Sequence, residues 1–259
     1  MRIGISTGCL YPVLTEESIK ILLSEKFDII EIFFNTFSEL KNDYLDRISD
    51  MLSESSAQVV SIHPFTSSYE SFLLFSGYQR RFEDGAAFYQ KYFRTAARLG
   101  ADKVILHGMK DDFSVIDKKE YCRRFNILYD IGTQYCVHLL QENVNLHCGN
   151  KTDFINEMKC SMPRDAGFVL DVKQALRGGM DPCELAALMG SRLRHVHISD
   201  SNNGMDCVLP GKGIFDFERF FGVLKQIGYN GDIIIEVYGN SYKKICELTD
   251  AKAFLAQFI

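Results

Sequence analysis

Short apolar runs rich in valine and isoleucine recur along the chain at steady intervals. Each run is only a few residues long, which is the length of a buried β-strand rather than of a helix. The runs lie at 3–5, 28–34, 59–63, 103–107, 137–142, 167–171, 193–198 and 232–237. Because nearly continuous apolar strands are typical of parallel sheets covered on both faces, the runs predict a buried parallel sheet.

Segments with the spacing of an amphipathic helix lie between these runs. Examples lie at 15–23, 82–99, 118–135, 216–227 and 242–258. Thr15 and Asp216 are suited to cap a first helical turn, and Gly100, Gly190 and Gly228 stand where a glycine ends a helix. Strand and helix therefore alternate about eight times, a pattern typical of a doubly wound sheet or a closed barrel.

Polar or ionisable residues close six consecutive predicted strands, and Glu31 lies within the strand before them. The six are His63, His107, Glu142, Asp171, His197 and Glu236. The 205 positions from Glu31 to Glu236 give about 34 residues per strand, enough for one strand, one helix and two loops. An open sheet would spread these side chains along an edge, whereas a closed barrel gathers them at one mouth. We therefore predict an α/β fold, a (β/α)8 TIM barrel, with residues 1–259 as a single domain.

Composition and charge favour a globular protein with a small-molecule partner. With 46% hydrophobic and 24% charged residues, the chain is neither disordered nor fibrous. A net charge of -5 gives no overall attraction to nucleic acid or to an anionic membrane, so we expect a small-molecule partner. The start of the chain is too briefly apolar for a signal peptide, and no apolar run reaches membrane-span length. Eight scattered cysteines without a C-x-x-C pair indicate reduced thiols, so we expect a cytoplasmic, soluble protein.

Three carboxylates and one imidazole among the strand ends would repel one another unless a positive charge lay between them. These residues are Glu142, Asp171, His197 and Glu236. A divalent metal is the natural occupant, and the donor set suits Mn²⁺ or Mg²⁺, whereas His63 and His107 would favour Zn²⁺ or Co²⁺. Any one of the four alone could equally be a salt-bridged barrel residue; together they favour a metal site.

Three segments carry a resemblance to a known family. They are RHVHISDS at 194–201, LPGKGIFDF at 209–217 and GYNGDIIIE at 228–236. With the strand-end residues, they resemble the xylose isomerase-like barrel superfamily, which includes sugar-phosphate isomerases and epimerases, inosose dehydratases and endonuclease IV-type enzymes. The likeness runs through effectively the whole chain and is strongest from 193 to 238. It implies the fold more firmly than the substrate.

The resemblance to ketose epimerases implies one Mn²⁺-like ion held by the four residues of the predicted metal site. It also implies that the ion binds the carbonyl and adjacent hydroxyl oxygens of a ketose, so that a neighbouring C–H becomes acidic. Glu142 and Glu236 would act as general base and general acid through an enediolate. The predicted partner is a carbohydrate substrate, and the sequence is compatible with a homo-oligomer.

Further residues are candidates for contact with the substrate. They are His63, His107, Lys173, Gln174, Lys212 and Glu31. The two histidines could instead form a buried polar ring, and Glu31 could be structural. Lys173 could meet a phosphate or carboxylate, or be a solvated loop lysine. Lys212 lies in a G-x-G segment, which lets the backbone approach a ligand but is a weak signal.

The chain departs from the nuclease branch, whose three zinc ions need additional histidines. Gln174 and Cys207 stand at those two positions, so we do not expect a trinuclear zinc cluster. His195 shares a strand face with His197, and we expect it to lie behind the metal ligand or in the core. The aromatic segment 65–78 could be a lid over a sugar or an apolar loop.

Four functions therefore remain in view. The first is a metal-dependent carbohydrate isomerase or epimerase. The others are an inosose dehydratase-like lyase, an endonuclease IV-like phosphodiesterase on abasic DNA, and a non-catalytic sugar-binding barrel.

Overall fold

The computed structural model describes residues 1–113 and 115–259, and these contain ten strands. The strands are β1 (Arg2–Ser6), β2 (Ile29–Phe33), β3 (Gln58–His63), β4 (Lys103–Leu106), β5 (His138–Glu142), β6 (Gly167–Asp171), β7 (Leu193–Ile198), β8 (Asp200–Asn202), β9 (Met205–Val208) and β10 (Asp232–Ile235). Strands β8 and β9 form a hairpin, and the other eight close a parallel barrel in the order β1-β10-β7-β6-β5-β4-β3-β2. The fold is thus the predicted (β/α)8 TIM barrel.

Helices alternate with the barrel strands and pack around them. They are α1 (Thr15–Ser24), α2 (Asn42–Ser53), α3 (Glu70–Leu73), α4 (Gln79–Leu99), α5 (Lys118–Thr133), α6 (Thr152–Ser161), α7 (Val172–Arg177), α8 (Pro182–Met189), α9 (Phe217–Gln226) and α10 (Cys246–Leu255). None of the helices within the described residues combines the length and the apolar character needed to cross a lipid bilayer.

The barrel interior has an apolar layer beneath an ionisable one. Two small aliphatic clusters lie apart from the main core, and they consist of Ile29, Val60 and Ile234, and of Ile105, Leu140 and Val169. Because side chains alternate across a strand, the residue two positions later points to the same side. His107, Glu142, Asp171 and Glu236 each follow a member of these clusters by two positions. The ionisable side chains are therefore collected at the carboxyl ends of the strands.

The helix-end predictions are confirmed at four positions and wrong at one. Asp216 caps α9 by accepting a hydrogen bond from the Arg219 backbone N–H at 2.9 Å. Gly100, Gly190 and Gly228 all have positive φ at helix ends. Thr15 does not cap α1, because the helix already includes it and its hydroxyl donates instead to the Glu39 carboxylate. The hydroxyl of Thr15 is thus used in a buried contact with Glu39, and α1 starts without a side-chain cap.

Candidate functional site

Four strand-end side chains converge at one mouth of the barrel, and they come from neighbouring strands. Glu142 ends β5, Asp171 ends β6, His197 lies in β7, and Glu236 directly follows β10. One possible ligand atom from each lies within 4.8 Å of those of the other three. The first three are buried, while the Glu236 side chain retains 15% exposure. The four residues predicted to hold a metal are therefore adjacent in space.

His197 lies at the centre of this group. Its Nδ1 is 3.3 Å from both Glu142 Oε1 and Glu236 Oε2, and 3.9 Å from Asp171 Oδ2. Its Nε2 is 3.1 Å from Glu31 Oε2 on the opposite side of the ring. A carboxylate behind a histidine fixes the tautomer and orientation of the ring toward a metal. One ring nitrogen is thus engaged by Glu31, and the other faces the carboxylates.

Glu31 and His195 lie beneath His197, and both are fully buried. Glu31 Oε2 accepts a hydrogen bond from Ser61 Oγ at 2.7 Å and lies 3.3 Å from His195 Nε2. Burial would raise the pKa of Glu31, but His197 and His195 hold it below its usual range. The structure therefore places Glu31 against two imidazoles and a hydroxyl beneath the mouth.

The carboxylates of the group differ in their surroundings. Burial raises the pKa of Asp171 to about 7; Lys173 opposes this shift, and Glu236 and Glu142 reinforce it. Burial would also raise the pKa of Glu236, but Lys173 and His197 hold it well below the usual range. The site is thus a set of mutually repelling acids with a few cationic neighbours.

Lys173 is one of those neighbours, in contrast to its interpretation as a solvated loop lysine. It lies in α7 and is only 4% exposed. Its Nζ is 3.2 Å from Asp171 Oδ2 and 3.1 Å from Glu236 Oε2. Burial would lower the pKa of Lys173, but these two carboxylates raise it well above its usual value. The solvated interpretation is wrong because the side chain is an ion-paired part of the mouth.

The residues present fit a divalent ion. Glu142 Oε2 and Asp171 Oδ2 are buried, and among the described residues their nearest partners are the nitrogens of ionisable side chains. His107 Nε2 lies 3.1 Å from the first oxygen, and Lys173 Nζ lies 3.2 Å from the second. A carboxylate oxygen can accept more than one contact, so both oxygens keep lone pairs that a cation would satisfy. Three carboxylates and one imidazole form a donor set suited to Mn²⁺ or Mg²⁺.

His63 and His107 form a second group with Glu142. His107 Nε2 is 3.1 Å from Glu142 Oε2, and His63 Nε2 is 3.7 Å from the same oxygen. The two imidazole nitrogens are 3.1 Å apart, and Phe33 stacks on His63 with ring centroids 4.5 Å apart. Burial would lower the pKa of His63, but Glu142 raises it. The His107 side chain is 21% exposed, so it reaches the open side of the mouth.

His147 is at the mouth although no sequence pattern singled it out. Its ring lies 6.0 Å from that of His107, and its Nδ1 lies 3.0 Å from the Asn145 carbonyl. It stands in the loop after β5, where no strand or helix period applies, so only its residue type could have indicated it. Gln174 also faces this loop, since its Oε1 accepts a hydrogen bond from the Asn145 N–H at 3.1 Å.

A cavity of about 290 Å³ opens beside the group. Its lining consists of Gly8, Tyr11, Phe33, Asn35, Lys173, Glu236, Val237 and Tyr238. Sequence reasoning did not identify its aromatic walls, because they stand in loops or at a strand end. A larger cleft of about 660 Å³, lined by Lys103, His138 and Arg194, lies at the amino ends of the strands, away from the carboxylates.

Two other candidate residues lie outside the group. Lys212 is exposed, and the glycines on either side of it donate their backbone N–H groups to Asp200. Cys207 is buried in β9 and joins none of the groups of potential metal donors found among residues 1–113 and 115–259. The structure therefore gives Cys207 no place in a zinc cluster.

The aromatic segment 65–78 combines features of a packed apolar loop and of a lid over a sugar. Phe75 is fully buried and stacks on Tyr121 with ring centroids 4.1 Å apart. Tyr69 and Phe72 are 62% and 47% exposed. Part of the segment thus packs on the barrel, and part presents aromatic surface.

The chain matches a described protein family, and its fold matches proteins of known structure. A family model described as xylose isomerase-like TIM barrel matches residues 19–257. A D-tagatose 3-epimerase-like protein of known structure superposes with a TM-score of 0.83 at 18% identity, covering 100% of this chain and 97% of that one.

Two curated relatives are similar over shorter segments. An inosose dehydratase of Geobacillus kaustophilus (strain HTA426) is 29% identical over 133 residues, and the match covers 40% of this chain and 43% of the relative. A putative L-ribulose-5-phosphate 3-epimerase, UlaE, of Shigella dysenteriae serotype 1 (strain Sd197) is 42% identical over 59 residues, which are 22% and 20% of the two chains. The matched segments span less than half the length of each relative.

Proposed function

Because the chain belongs to the xylose isomerase-like TIM barrel family, we propose that it is a divalent-metal-dependent sugar isomerase or epimerase. The observation that carries the proposal is the convergence of three carboxylates and one imidazole at the barrel mouth. The names of the similar epimerases support the same reaction class. The substrate is a ketose or a ketose phosphate.

Glu142, Asp171, His197 and Glu236 would hold the ion, for which Mn²⁺ is the proposed identity. When bound, such an ion supplies Lewis acidity that makes the C–H next to a ketose carbonyl easier to deprotonate.

Glu142 and Glu236 are the proposed acid–base pair. One carboxylate takes a proton from the carbon next to the carbonyl, and the electron pair left behind forms an enediolate. The other side chain returns a proton, either to the opposite face of the same carbon or to the neighbouring carbon. The first outcome is an epimerisation and the second an isomerisation, and neither requires an oxidant or a reductant.

The surrounding residues position the sugar and exclude water. His63 and His107 face Glu142 and would donate hydrogen bonds to hydroxyl oxygens of the substrate. Tyr11, Phe33 and Tyr238 line the cavity beside Glu236, and their rings would cover the C–H face of a sugar.

Solvent-deuterium exchange tests the proposal. The full chain, loaded with Mn²⁺ in D₂O, is incubated with ketoses, ketose phosphates and inososes, and deuterium at carbon is followed by NMR. We expect exchange in at least one compound. Glu236→Gln should lower the exchange rate by about 100-fold or more, because a proton-transfer group is lost. Glu218→Gln, the same change at an exposed position, is the control.

Absence of exchange in every compound at every metal loading would contradict the proposal. A Glu236→Gln protein with the full exchange rate would remove Glu236 from the mechanism. Thermal unfolding of each variant shows that a loss of exchange does not reflect loss of the fold.

A dehydratase is the second candidate, favoured by the 133-residue match to an inosose dehydratase. The first step would be the same proton abstraction. The hydroxyl group on the next carbon would then leave as water after protonation by the second acid. Mass loss of one water from an inosose, in the same incubations, separates this reaction from epimerisation.

A further inference from the structure

Lys173 places a fixed positive charge inside the proposed metal centre. Its Nζ lies within 3.2 Å of both Asp171 Oδ2 and Glu236 Oε2. Lys173 is only 4% exposed, so its ammonium is largely shielded from bulk water. The ammonium and a bound ion would therefore interact with the same carboxylates.

The local fold holds the lysine in this position. Asp171 Oδ1 accepts a hydrogen bond from the Gln174 N–H at 2.8 Å, which caps α7 and leaves Oδ2 for Lys173. The Tyr238 ring lies 5.2 Å from Nζ on another side. Lys173 is thus placed by one of the proposed ligands, and its charge is directed back toward the mouth.

The charges of the proposed ligands indicate the effect of a lysine at this position. Three ionised carboxylates carry three negative charges, and a divalent ion leaves one of them uncompensated. The ammonium of Lys173 compensates the last one, so the four proposed ligands, the ion and the ammonium are together neutral, but the ammonium also repels the incoming ion.

We propose that Lys173 is a built-in counter-cation of the centre, a positioning residue that lowers its affinity for divalent ions and holds Asp171 and Glu236 together when no ion is bound. The inference rests on the proposed metal centre. It assigns the lysine to the control of metal loading rather than to the recognition of a substrate phosphate.

Titration of chelator-stripped full-length protein with MnCl₂, followed by calorimetry, tests this role. Lys173→Met should bind Mn²⁺ about tenfold or more tightly than the wild type, because a repelling charge close to the ion is removed. Lys173→Gln is the second neutral variant. Lys151→Met is the matched control, since it removes one charge from an exposed lysine that is paired with Asp111, and its affinity should equal that of the wild type.

Thermal unfolding supplies an independent readout. Without metal, Lys173→Met should melt below the wild type, because the buried Asp171 and the partly buried Glu236 lose their cationic partner. Addition of Mn²⁺ should raise its melting temperature by more than that of the wild type.

The outcomes separate the two proposals. Equal or weaker Mn²⁺ binding by both Lys173 variants, with a wild type that binds the ion, would overturn the role of Lys173 and leave the metal centre in place. Binding by neither the wild type nor the variants would overturn both. Binding by the variants alone would support the inference in its strongest form.

Discussion

The pair formed by Glu31 and His197 links the buried interior to the chemistry at the mouth. Glu31 is fully buried, and its Oε2 lies 3.1 Å from His197 Nε2. An anion in this position favours the tautomer with the proton on Nε2, which leaves the Nδ1 lone pair directed at the carboxylates. Sequence reasoning left Glu31 open between a structural role and contact with substrate. Its contacts lead us to propose that it positions His197.

Replacement of Glu31 by Gln should weaken Mn²⁺ binding by about 10- to 100-fold, the usual effect of losing a partner behind a metal ligand. The amide keeps the size of the side chain but loses the charge that orients the imidazole. Calorimetric titration measures the change.

Glu39→Gln is the control for this variant. Glu39 is also buried, but it accepts its hydrogen bonds from Thr15 and the Asn35 N–H, away from His197. Unchanged Mn²⁺ affinity in a folded Glu31→Gln protein would show that Glu31 does not act through His197.

At the scale of elements, β1 is constrained by close approach inside the barrel. A Cβ at Gly4 would lie 2.7 Å from the Ile29 carbonyl oxygen and 2.7 Å from Ile234 Cδ1. The backbone oxygen cannot move without disturbing β2, so only glycine fits at this position. The apolar layer beneath the mouth depends on this contact.

Gly4→Ala should therefore lower the free energy of unfolding by about 1–3 kcal/mol, the usual cost of overpacking. Gly222→Ala is the matched comparison, because a Cβ there meets nothing within 4 Å in α9. It should stabilise the protein by about 0.5–1 kcal/mol through helix propensity. Urea unfolding compares the two variants, and a Gly4→Ala protein as stable as the wild type would refute the close-packing argument.

The sequence pattern located the barrel strands better than it located the helix ends. All eight barrel strands lie within about two residues of the predicted runs, because burial on both faces leaves a clear apolar signal. The last helix begins at Cys246 rather than near Tyr242, since Glu247 accepts the Lys243 and Lys244 N–H groups before the helix starts. Such a local hydrogen bond has no periodic signature.

The same contrast holds for the site. Strand period and barrel closure were sufficient to bring the four proposed ligands together. The burial of Lys173 depends on the start of α7 directly after Asp171. The position of His147 at the mouth depends on the conformation of the loop after β5. Neither feature follows from a period in the sequence. Lys173 was therefore predicted as a candidate for substrate contact but not as a buried partner of the carboxylates, and His147 was not predicted at all.

At the scale of the whole molecule, the net charge of -5 is unevenly distributed. Glu31, Glu142, Asp171 and Glu236 concentrate negative charge in one end of the barrel. The sequence argument required something positive among these acids. The structure supplies part of it in Lys173, whose ammonium contacts Asp171 and Glu236. One ammonium does not balance these acids, which leads us to propose that the metal-loaded protein is the working form.

Anomalous diffraction from crystals grown with MnCl₂, measured at the manganese absorption edge, tests this account most directly. We predict one strong peak per chain, in contact with carboxylate oxygens of Glu142, Asp171 and Glu236 and with Nδ1 of His197. Absence of a peak at this position, or an ion bound only by other residues, would contradict the proposed centre and the proton-transfer function built on it.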